Sequence, residues 1–304
     1  DAEGNLVAFP EALNKPRSYK FDQSLVDQLK QKFSESARIF EGLALEELDL
    51  KWLLDLTQRT EHPIETLKNQ ATTVVSNSDT PFEIIFRILL TLGFAPYKAD
   101  VYKHKYYGKD VATIAAISGQ SDEEKLRVSS QLSVHNMLRV TLLKRLESSQ
   151  HALKVSLENY GKRLKQFGQI LDAGKVGRVK DMNAVVELFG DDVEANAEAL
   201  ENLPEEFELE TADERVFNLP ALKVDLQRDQ RILDLLIAMC DLMALNDDKL
   251  QAFATLLQEL LAKPEMGKKV LVFSYYADTI SYLQQALPDL INIPNFDTRS
   301  GFVS

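Results

Sequence analysis

One cysteine, Cys240, in 304 residues excludes an internal disulfide, and four scattered histidines (His62, His104, His135, His151) leave no structural zinc site to assemble. The histidines read as surface or satisfied core residues, and a reducing, cytoplasmic setting is expected. Glycine (12) and proline (10) are scarce, so little interrupts a helical chain. No apolar run is long enough to span a bilayer, which excludes a membrane partner, and the opening "DAEGNLVAFPEALNKPRSYKFD" has neither the charged start nor the apolar core of a signal peptide. It begins abruptly, as an excised fragment does. No G-x-x-x-x-G-K-[ST] loop is present to cradle phosphates, and "SDEEK" and "ADER" are acidic pairs in polar context rather than at the end of an apolar strand. No Ser/His/Asp order or H-E-x-x-H can be assembled. No catalytic, metal or cofactor residue is therefore expected within this chain.

What is present is apolar periodicity. A hydrophobic content of 45% supplies a core, while a net charge of -12 argues against a nucleic-acid packaging role. Spacing predicts helices at 23–40, 46–59, 63–76 and 81–92, the last with Asp79 or Thr80 as N-cap, Pro81 in its first turn and Gly93 near its stop. "APYKADVYKHKYYGKDVATIAAISG" reads as a loop or short hairpin. From Ser121 to about Leu171, Leu138, Leu142, Leu146, Ser149, Leu153, Leu157, Tyr160, Leu164, Phe167 and Leu171 recur at steps of three and four, which predicts one very long helix. Between Asp181 and Glu214 thirteen acidic residues occur with no Lys or Arg, an acidic linker or insertion. A second long helical stretch splits near Asn246, with Asn246 or Asp247 capping the next helix. A buried strand is expected at Val270–Ser274 and a weaker one in "RSYKFD". The chain thus divides into an N-terminal helical region (1–120), a long basic helix (121–180), the acidic segment (181–220), a helical segment (221–263) and a C-terminal strand–helix unit (264–304). The fold class is mainly α, with a small incomplete α/β element at the C-terminus.

Charge is segregated. Lys98 to Lys180 holds sixteen basic against eight acidic residues, and Lys162, Arg163 and Lys165 cluster within it. Such an excess is either a solvated helix face or a phosphate-contacting surface, the second helped by the aromatics of "YKADVYKHKYYGK".

"HNMLRVTLLKRLESSQHAL" (His135 to Leu153), "DDKLQAFATLLQELL" and "KKVLVFSYYADTISYLQQAL" resemble, in that order, bacterial Swi/Snf-like helicase-related ATPases of superfamily two. "LLKRLESS" (Leu142 to Ser149) looks like the signature of one branch, and "KVLVFSYYADT" looks like helicase motif IV, the first strand and helix of a second RecA-like lobe. The resemblance implies an ATP- and magnesium-dependent motor acting on duplex DNA. Its nucleotide-binding motifs would lie before Asp1 and after Ser304, so the missing lobes of the same protein are an expected partner. It implies phosphate contact or docking on lobe two for Lys144 and Arg145, and phosphate contact or helix capping for Ser274. The competing reading is a non-enzymatic helical protein–protein interaction module.

Overall fold

The computed structural model describes residues 19–40, 78, 80–109, 111–117, 119, 121–179, 207–262, 270–292, 296, 300 and 301. The helices expected at 46–59 and 63–76 lie outside the described residues. What is described is mainly helical, with one two-stranded sheet.

α1 (Gln23–Phe40) buries Leu25, Val26 and Leu29, the apolar positions its spacing puts on one face. α2 (Pro81–Leu89) is capped by Thr80, whose hydroxyl accepts the Glu83 N–H at 3.1 Å, and Pro81 occupies the first position, where no N–H partner is lost. It stops before the expected Leu92, because the amides of Thr91 and Leu92 turn back onto Ile88 and Leu89. Gly93 follows for a steric reason: a Cβ there would sit 2.1 Å from Arg228 Nη2. Phe94 then adopts a left-handed φ of 53°, unusual for an aromatic residue. The Asp229 carboxylate holds this bend, accepting the amides of Gly93 (2.7 Å) and Ala95 (3.1 Å) and the Tyr160 hydroxyl (2.8 Å). The stretch read as loop or hairpin is instead a 3-10 helix (Ala95–Tyr102), followed by α3 (Val111–Ala115).

The single long helix predicted from Ser121 is two helices, α4 (Asp122–Ser148) and α5 (Gln150–Asp172). Ser149 breaks it with extended dihedrals (φ -159°, ψ 153°), and its hydroxyl accepts the Ala152 N–H at 3.0 Å as the N-cap of α5. The leucine stripe runs through both: Leu138, Leu142, Leu146, Leu153, Leu157, Tyr160, Leu164, Phe167 and Leu171 are all buried. They pack with α1, α2, the 3-10 helix and α6 (Leu219–Leu245) in the main core. Each such side chain stabilises the fold by about 1.5–3 kcal/mol.

α5 ends in β1 (Lys175–Val179), which pairs antiparallel with β2 (Phe207–Thr211), from Lys175 opposite Thr211 to Val179 opposite Phe207. The basic block therefore does not stay helical to 180, and the acidic segment is not linker throughout, since its last part is a strand. Lys103 and Arg178 fasten this hairpin to the body, each reaching both Asp100 (3.0 and 3.7 Å) and Glu210 (3.2 and 3.5 Å).

α6 gives way to α7 (Asp248–Leu261) at the predicted break, where Asp247 caps by accepting the Leu250 N–H at 2.9 Å. α8 (Ala277–Leu290) packs on α7 in a second, smaller core of Leu250, Ala254, Leu257, Leu287 and Ile291. The strand expected at Val270–Ser274 forms no ladder. Among the described residues no strand runs beside it, and Leu271, Phe273 and Tyr275 are 81%, 88% and 84% exposed. Tyr19–Asp22, within the weaker expected strand, is likewise irregular.

Candidate functional site

The two cores meet at the break after α4. Arg145 lies one turn before it and is 1% exposed, with Nη1 2.5 Å from Asp278 Oδ2 in the first turn of α8 and the guanidinium carbon 4.5 Å from the Tyr276 ring centre. A buried guanidinium has to be paired in this way to offset its lost hydration. Beside it, Thr279 Oγ1 lies 2.7 Å from Ser148 Oγ and 3.1 Å from Ser149 Oγ. Ser274 Oγ, 3.4 Å from Ser148 Oγ, accepts the Tyr276 N–H at 3.2 Å and so helps to turn the chain into α8.

Two further contacts close the joint. Gln150 donates to the Tyr282 hydroxyl at 2.9 Å, which donates to Asp247 Oδ2 at 2.7 Å, while the His151 ring stacks on Tyr282 at 5.2 Å. Burial first, and the bond to Asp247 next, raise the Tyr282 phenol above its ordinary pKa, so it stays a donor. Lys249 donates to the carbonyls of Glu147 and Ser148 (the latter at 2.7 Å), placing a cation where α4 leaves its last carbonyls without helical partners. Burial pulls its ammonium pKa down, opposed by Asp247 and Glu147.

The residues singled out from sequence separate by exposure. Arg145 and Ser274 come together in the joint. Lys144, next to Arg145, is exposed. On α5, Lys162 and Lys165 share an exposed face and Lys162 donates to Asn159 Oδ1 at 3.3 Å, whereas Arg163, rotated about 100° from Lys162, is 3% exposed. Burial corrects phosphate contact for Arg145 and Arg163, and of the two roles expected for Arg145 leaves docking against the α8 block. Residues to which the sequence reading gave no site role do much of the joining: Ser148, Ser149, Gln150, Lys249, Asp278, Thr279 and Tyr282. Ser149 carried a signal, a cap-forming serine just before a helical run, but the leucine stripe across it masked the break.

No family model, curated protein or solved structure matches the chain. No helix among the described residues is long and apolar enough to cross a membrane.

Proposed function

We propose that this chain is the helical inter-lobe region and the beginning of the second lobe of an ATP-dependent DNA translocase or helicase-like protein. One observation carries the reading: two of the three blocks that bear the resemblance, 133 residues apart at Arg145 and Asp278, meet in one buried polar joint. A connection of this kind passes movement of α8 directly into α4 and α5, which is what a region between two moving lobes has to do. Lys144, Lys162 and Lys165 remain exposed for weak, sequence-independent contact with duplex phosphates.

Five helix N-termini are closed by the side chains of Thr80, Ser121, Ser149, Asn218 and Asp247, and the buried Arg145 is held by Asp278. On this reading hydrolysis belongs to the flanking lobes, since the sequence holds no G-x-x-x-x-G-K-[ST] loop. The purified chain should turn over no ATP with or without DNA, and its gene should encode a phosphate-binding loop and an acidic magnesium motif upstream of Asp1. Stable co-purifying DNA-stimulated turnover, or an open reading frame bounded near Asp1 and Ser304, overturns the proposal. The exposed row Leu271, Phe273 and Tyr275 favours a second reading, a non-enzymatic helical module that docks a partner, and the short reading frame is the result that selects it.

A further inference from the structure

A cavity of about 320 Å³ lies beside the joint, between the start of α1, the end of α4 and the α6–α7 turn. Phe21, Leu25, Phe82, Leu146 and Met243 give it apolar walls. Glu147, Asp247 and Asp248 bring three carboxylates to the same cavity. We propose that this cavity binds an organic ammonium ion, its alkyl or aryl body against Phe21, Phe82 and Leu146 and its cation facing Glu147, Asp247 and Asp248.

Size, charge and aromatic content each narrow the ligand. The volume falls at the lower end of the range for small-molecule sites, about 300–1,000 Å³, and is too small for a docked helix. Among the described residues Asp247 accepts the Leu250 N–H and the Tyr282 hydroxyl, and Asp248 accepts the Asp22 N–H at 2.9 Å. These donors are neutral. Lys249 also lines the cavity and is attracted by Asp247 and Glu147, but its ammonium is hydrogen-bonded to the α4 carbonyls rather than to a carboxylate. Three carboxylates against one ammonium leave the lining net negative, which attracts a cation and repels an anion. Tyr19 and Phe21, edge to face at 5.2 Å, together with Phe82 add ring faces that favour a cation further. The Tyr19 phenol feels this field: burial and then Asp247 and Asp248 raise its pKa. Because Asp247 also holds Tyr282, and Tyr282 holds Gln150, an occupied cavity bears directly on how α8 is seated.

This inference is independent of any DNA activity. Phenethylammonium and phenylacetate, similar in shape and opposite in charge, are titrated into the full chain labelled with methyl-13C methionine, with the Met243 resonance assigned by Met243→Leu. The amine should shift that resonance saturably and the carboxylate should not. Glu147→Gln, at an exposed position with the fold undisturbed by circular dichroism, should weaken the amine about three- to tenfold, as loss of one carboxylate–ammonium contact requires. An equal response to both probes, no response to the amine, or unchanged affinity in Glu147→Gln overturns the proposal.

Discussion

At the scale of single residues, burial decides what two polar side chains do. Arg145→Met leaves the Asp278 carboxylate, 10% exposed, without its cation, and removing one partner of a buried pair costs about 3–5 kcal/mol. Replacing both, as Arg145→Met with Asp278→Leu, should recover most of that loss. A double-mutant cycle in urea should give a coupling of about 1–3 kcal/mol, and additive losses would show that the pair does not seat α8. Cys240 is buried at 1% exposure, and burial, then Asp241, push its thiol up to about 12. A raised thiol pKa means the folded state disfavours the thiolate. Its contribution to stability is therefore fully present below the unfolded value near 9 and is lost as pH rises toward 12. A disulfide reagent at pH 8 should label the native chain only at the rate of opening and label the urea-unfolded chain at once. Rapid native labelling would place Cys240 in an exposed site.

At the scale of elements, the hairpin changes how the acidic segment is to be handled. Val179 and Phe207 are opposite each other, so a tight turn can join β1 to β2 directly. Replacing 180–206 by Asn-Gly, the dipeptide suited to a tight hairpin turn, removes nine carboxylates and Lys180 while keeping the Lys103 and Arg178 contacts to Glu210. The product should unfold cooperatively, with chain entropy favouring the shorter turn by up to about 2 kcal/mol. Extending the deletion through Glu214 removes β2 and should cost stability. Equal thermal unfolding midpoints for the two deletions would mean that the hairpin contributes nothing.

At the scale of the whole molecule, two apolar cores are joined by a polar contact, and Lys144, Lys162 and Lys165 lie on helices of the larger one. If Lys162 and Lys165 contact phosphate, their joint replacement by Gln should flatten the dependence of duplex affinity on salt by up to about two log units per log unit, with Arg163→Gln adding nothing because that side chain is buried. Fluorescent-duplex titrations at about 50 and 200 mM salt measure this, and an unchanged slope assigns the two lysines to a solvated face. The sequence by itself determined the elements whose signals are local: α1 in full, the leucine stripe, and the caps to within one residue (Asp79 or Thr80, Asn246 or Asp247), because caps and periodicity act within a turn or two of the chain. It also put the resembling blocks on the page, but not that the first and the last of them touch. Tertiary structure alone decided the break at Ser149, the hairpin register and the burial of Arg145 on Asp278. The same hydroxyl or guanidinium suits water or a partner, and the choice depends on what the chain brings beside it from 133 residues away.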